Sequence, residues 1–239
     1  MTLVRLALFI SPRRVGILLT IVVIGLSIIS FAGQFSTYVL GHGRVFGLVR
    51  LFDVGQDSNI PTWYSSIMLL FCSLLLALIA KSQKTARTRY ILHWKVLAAI
   101  FLYMSIDEVA MIHENADIIL GSHISRTGFL HFGWVAVGIP LTIIFVLSYL
   151  KFLTHLPKKT RLLFVVAGTI FVSGAIGAEM FAGRHNEIYN LDLTYAMITA
   201  VEEFCEMFGI VVFLYALLSY INEHLQEVNF SIKEAVQAK

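Results

Sequence analysis

Cysteine is scarce in this chain. There are two in 239 residues, Cys72 and Cys205, and both lie inside apolar runs. They read as small buried hydrophobes rather than as a disulfide framework or a cysteine-based metal site. Charge is scarce as well. Asp, Glu, Lys and Arg make up 14% of the chain, where a soluble domain carries about 25%. The net charge is only +3, and the basic residues sit in short tracts between apolar runs. They form no face for a nucleic acid. No internal repeat or low-complexity segment breaks the sequence. The calcium-loop spacing, the zincin His-Glu-x-x-His and the di-iron Glu-x-x-His are all missing.

What is abundant is hydrophobicity. Apolar residues make up 58% of the chain and the mean hydropathy is +0.80. One soluble core of this size would not hide so much apolar surface. The chain therefore reads as a single integral membrane domain over residues 1–239, an all-α bundle of about six spans. A helix needs ~20 apolar residues to cross the hydrocarbon. Six segments qualify, at approximately 15–32, 63–80, 93–112, 131–152, 161–183 and 198–220. Residues 3–10 read as a short interfacial helix. Ser30-Phe31-Ala32 resembles a signal-peptide cleavage site, but the apolar run before it is long for a signal, so a retained anchor is expected.

Lys and Arg give the direction. Arg5, Arg13 and Arg14 precede the first span. Lys81, Lys84, Arg87 and Arg89 follow the second, and Lys151, Lys158, Lys159 and Arg161 follow the fourth. The other three loops are poorer in net positive charge. The positive-inside rule then predicts that both termini are cytoplasmic, and the expected setting is a bacterial inner (plasma) membrane. Trp63, Tyr64, Trp134 and Tyr189 fall where an aromatic belt on the opposite face would lie. Residues 46–52 read as an interfacial segment, and Asp53 to Asn59 as a solvated turn.

The chemistry lies in acids placed where acids are costly. Asp107, Glu108, His113 and Glu114 end the third span, Glu179 ends the fifth, and Glu202, Glu203 and Glu206 begin the sixth. A carboxylate at mid-membrane costs at least ~2.5–3.5 kcal/mol, so these groups are expected to face one another, a metal or water. With the spans alternating, all three sets share one depth in the outer half of the membrane. At 100° per residue, a continuous helix places Asp107 and Glu114 on one stripe, with Glu108 and His113 to either side. Ser173-Gly174-Ala175-Ile176-Gly177-Ala178 offers small residues for close helix approach just before Glu179. Glu187 and Asp192 read as solvated, and His131 and His185 as interfacial.

Carboxylates at one depth repel unless a cation or a proton lies between them. The first solution makes His113, Glu179 and Glu206 ligands of a divalent zinc, iron or manganese ion. The second makes Asp107, Glu108, Glu114, Glu202 and Glu203 general acids and bases. A structural network with Arg44, Arg126 or Arg184 is the plain alternative.

The runs Asn59 to Ser66 and Ser105-Ile106-Asp107-Glu108, with His113-Glu114, resemble a family of uncharacterised bacterial multi-pass membrane proteins. The likeness continues through Glu202-Glu203. Ser105, Asp107 and His113 are also similar to the Ser, Asp and His of the alkaline ceramidase and progestin-receptor-like superfamily, whose later His pair is missing here. Glu202-Glu203 and His113-x-x-x-Asp117 resemble fragments of the glutamate-type intramembrane proteases, in a different order. The expectation is thus a membrane-embedded, metal-dependent enzyme acting on membrane lipid or a lipophilic small molecule. A proton- or cation-coupled transporter and an accessory subunit with structural acids stay open beside it.

Overall fold

The computed structural model describes residues 11–43, 45–85, 89–115 and 127–225. Every regular element among them is helical. Helix α1 is Pro12–Tyr38, α2 is Leu48–Phe52, α3 is Ile60–Thr85 and α4 is Ile91–Ala110. Helix α5 is Gly133–His155 and α6 is Lys158–Val172. A π-helical stretch, Ser173–Ala178, joins α6 to α7, Glu179–Tyr189. Helix α8, Leu193–His224, is the longest. The expected interfacial helix at residues 3–10 lies outside the described residues.

The protein is an all-α, polytopic membrane bundle. Five helical stretches are long and apolar enough to cross a bilayer: α1, α3, α5, the continuous α6–α7 rod and α8. The remaining expected span, the third at 93–112, corresponds to α4. At 20 residues it is ~30 Å long, the thickness of the hydrocarbon. Lys95, Asp107 and Glu108 place three charged residues within its short length, and it packs along α3. Two reciprocal serines fasten that pair. Ser105 Oγ donates to the Ser66 carbonyl at 2.9 Å and Ser66 Oγ to the Ser105 carbonyl at 2.8 Å.

Helix α8 is the hub. Beyond Glu206 it is apolar on all sides, the pattern of a helix surrounded by others, and it packs on α1, α3 and α6. Met207, Ile210, Val211, Leu214, Ala216 and Leu217 are all buried. At the end of the bundle away from the acids, an aromatic core closes the interior. Phe101 stacks on Phe213 at 4.6 Å, and Trp94 meets Phe152 edge-on at 5.0 Å. The outer faces are apolar and open. Ile17, Leu18, Ile21, Ile28, Leu141 and Ile144 are all exposed, a surface that bilayer lipid covers.

Candidate functional site

The third span does not run as the straight helix that the stripe argument assumed. Helix α4 stops at Ala110, and Met111 takes a left-handed conformation at φ 51°. A left-handed residue other than glycine is strained and persists only where its surroundings hold it. The turn folds the following residues back over the helix end. His113 then meets Asp107 twice: its backbone N–H donates to Oδ1 at 2.9 Å, and its Nδ1 lies 2.8 Å from Oδ2. The expected pairing of Asp107 with Glu114 on one stripe is therefore corrected. Asp107 pairs with His113, and Glu114 turns to Asp57, with which it shares a hydrogen bond.

Asp57 arrives from the loop read as a solvated turn. That loop is in fact packed against the bundle. The Val54 N–H donates to Ser30 Oγ at 3.0 Å, and Asn59 Nδ2 holds the Asp53 and Gln56 carbonyls at 2.6 and 2.7 Å. Gly55 lies against Thr199 of α8. Nothing local in the sequence marks Asp57, because its position depends on the loop folding back over α1 and α8.

On the far side, the π-helical stretch brings Glu179 to α8. Single π turns inside α-helices recur at functional sites. A Cβ on Gly174 would come within 2.7 Å of the Glu202 carbonyl oxygen and 2.9 Å of Cys205 Cβ, so the close approach there requires glycine. The expectation for the small-residue run thus holds at Gly174. It does not hold at Gly177, which has open space around it. With the helices this close, Glu179 and Glu202 are hydrogen-bonded to each other. Glu202 is buried, while Glu203 and Glu206 are half-buried. Glu203 and Glu206 lie within electrostatic reach of each other and of Glu108.

Trp134 of α5 joins the two halves. Its Nε1–H donates to Glu179 Oε1 at 3.1 Å, and its ring meets the His113 imidazole edge-on at 5.4 Å. The sequence placed it in an aromatic belt. Trp63 and Tyr189 are exposed as a belt requires, but Trp134 turns inward. A chain of contacts therefore runs Asp107, His113, Trp134, Glu179, Glu202, with an edge-on ring contact as its middle link. Helix α8 begins well before the expected span, which sets Glu206 ~20 Å below its tip rather than in its first turns.

Burial pulls the His113 pKa down, but the hydrogen bond and charge of Asp107 outweigh it and hold the imidazolium up to about 9. Burial also pushes Glu114 up to about 7, helped by its shared hydrogen bond with Asp57.

Other sequence-predicted groups lie apart. Ser105 is buried against Ser66, not directed at His113. His185 pairs with Asp192, which caps α8 through the Tyr195 N–H. Glu187 accepts from the Gly128 N–H and pairs with Arg184, so neither Glu187 nor Asp192 is merely solvated. His131 packs on Gly183 and Phe132. Arg44, Arg126 and Asp117 lie outside the described residues. Both cysteines are free thiols.

The donor set for a metal is not assembled. Among the described residues, no three His, Cys, Asp or Glu side chains are arranged to hold a metal ion. Both Asp107 oxygens are engaged by His113, and Glu179 Oε1 by Trp134.

Residues 15–221 match the family model described as Domain of unknown function (DUF8692), and the chain belongs to that family. No curated protein and no solved structure matches it, so the likenesses to ceramidases and intramembrane proteases gain no support.

Proposed function

We propose that this protein is a membrane-embedded enzyme that performs acid–base chemistry on a lipid or another lipophilic molecule. The observation that carries the reading is the continuous contact from Asp107 through His113, Trp134 and Glu179 to Glu202, which draws on four helices. Ionisable groups inside a membrane mark functional paths by default. Here an ion pair stands beside carboxyls that need a shared proton, which is the arrangement of a site holding both an acid and a base. Glu203 and Glu206, half-buried, are the groups a substrate would meet. Glu108 and Glu114 with Asp57 line the approach from the loop side.

The basic tracts support an orientation with both termini cytoplasmic, six spans including α4, and a site opening to the non-cytoplasmic side. The bacterial inner membrane is the setting we infer. The stacked and edge-on rings of Phe101, Phe213, Trp94 and Phe152, packed below the acids, speak for an enzyme over a transporter. A zinc, iron or manganese ion bridging the carboxyls would show in elemental analysis of the purified protein.

The purified protein in nanodiscs of bacterial lipid extract should convert at least one lipid species, read by mass spectrometry, and Glu206→Gln should abolish that conversion. An unchanged lipid profile together with proton or cation flux in sealed vesicles would favour transport. Loss of stability without any turnover in the wild type would favour an accessory subunit.

A further inference from the structure

Helix α5 is buried at its two ends and only partly covered between them. Its inward positions follow a seam of three and four: Val135, Gly138, Thr142, Phe145, Tyr149 and Phe152. The ends of that seam are buried, with Val135 at 0%, Tyr149 at 7% and Phe152 at 1% exposure. Between Val135 and Tyr149 no residue of α5 is buried. Gly138, Thr142 and Phe145 face the bundle yet remain half-exposed, and the first two carry little side chain to fill the space.

The anchors at the two ends differ in kind. At the far end, Phe152 lies among Tyr90, His93 and Trp94, and the Tyr149 hydroxyl donates to the His93 carbonyl at 2.9 Å. At the acidic end, Trp134 reaches across to Glu179 and His113. Its ring folds back along its own helix onto Gly138, where a Cβ would come within 2.8 Å of it. Between the anchors stands Pro140. It lacks the N–H that would bond the Ala136 carbonyl, a recognised cause of helix bending.

We propose that α5 is a lateral gate: its outer half swings about Pro140 to let a lipid acyl chain pass from the bilayer to the carboxyl cluster, with Trp134 as the latch. This rests on the reading that the cluster serves a lipophilic substrate. The occupant follows from the setting. On the outer side of α5, Val137, Leu141 and Ile144 are apolar and exposed at membrane depth, where the neighbouring molecule is an acyl chain. Opening the gate would break the Trp134 contacts with Glu179 and His113 and uncover Val135 at the outer end, and leave the aromatic anchor at the inner end in place. Hinges of this kind commonly lie at a few positions that absorb the backbone change.

The test uses the full chain in lipid nanodiscs with Cys72 and Cys205 replaced by alanine. A spin label is placed at Thr142→Cys or, as a lipid-facing control, at Leu141→Cys. Collision with dissolved oxygen, which partitions into lipid, is read by electron paramagnetic resonance. The label at position 142 should collide less often than that at 141. Trp134→Phe should raise it towards the control value, and Pro140→Ala should lower it. Should Trp134→Phe unfold the protein, the Pro140→Ala arm decides alone. Equal collision rates at Thr142→Cys in the wild-type, Trp134→Phe and Pro140→Ala backgrounds would overturn the gate. No turnover enters this readout, so the gate can fail while lipid conversion stands, and a working gate in a wild-type protein that converts no lipid would sink only the enzyme reading.

Discussion

His113 is bound to Asp107 by both its backbone and its ring, with the two contacts at 2.9 and 2.8 Å across six residues of sequence. A straight helix would place these side chains well apart around its axis. The left-handed Met111 brings them together, so the pair depends on the helix ending where it does.

Titration of this pair should be visible in stability. His113 is held up to about 9 in the fold against ~6.5 when unfolded. Its contribution is therefore fully present below ~6.5 and lost as pH rises through about 9. Thermal unfolding in detergent should show the melting temperature falling over that window. Asp107→Asn should flatten the fall, and an identical slope in wild type and variant would refute the pairing.

Glu114 should act at lower pH. Its carboxyl is raised from 4.5 to about 7, by burial first and by its bond to Asp57 second. An acid with a raised folded pKa binds its proton more tightly when folded, so stability declines as pH rises from about 4.5 to about 7. Glu114→Gln should remove that part of the decline. The check is the melting curve of both proteins at pH 5 and pH 7.

The two glycines of the π-helical stretch should behave oppositely. Gly174→Ala forces a Cβ to 2.7 Å from a backbone oxygen, and overpacking of this kind costs about 1–3 kcal/mol. Gly177→Ala meets open space and should leave the melting temperature near the wild-type value. Equal effects of the two substitutions would contradict the close packing of this stretch on α8.

Ser105→Ala should loosen α3 from α4 without acting on the acidic groups. The substitution removes one hydrogen bond of the reciprocal pair, and an interhelical bond of this type in a membrane is worth roughly 0.6–2 kcal/mol. The readout is detergent-induced unfolding followed by circular dichroism, set beside lipid conversion. Loss of conversion with stability intact would assign Ser105 to the chemistry after all.

Elemental analysis of protein purified without added metal separates the two ways of joining the carboxyls. With Glu179 against Glu202 and, among the described residues, no three donors converging, a proton is expected to be the link, and zinc, iron and manganese should fall far below one ion per chain. A stoichiometric metal that Glu206→Gln removes would show that the carboxyls rearrange around an ion.

Hydrophobic runs and the scarcity of charge were enough to read a helical membrane bundle, and each expected span falls on an observed helix. Burial of apolar length is a local property of a segment, so it is written in the order of the residues. The shared depth of Asp107, Glu179 and Glu202 was legible for the same reason, since alternation of spans converts sequence position into height. Which acid touches which was not. The left-handed Met111, the π turn that lets Gly174 approach α8, the loop that delivers Asp57, and the inward turn of Trp134 all depend on contacts between segments far apart in the chain. A hydropathy pattern states how deep a residue lies and leaves its direction open. That direction was decided by which helices could approach closely enough to exclude lipid from between them, and only the packed tertiary structure contains that information.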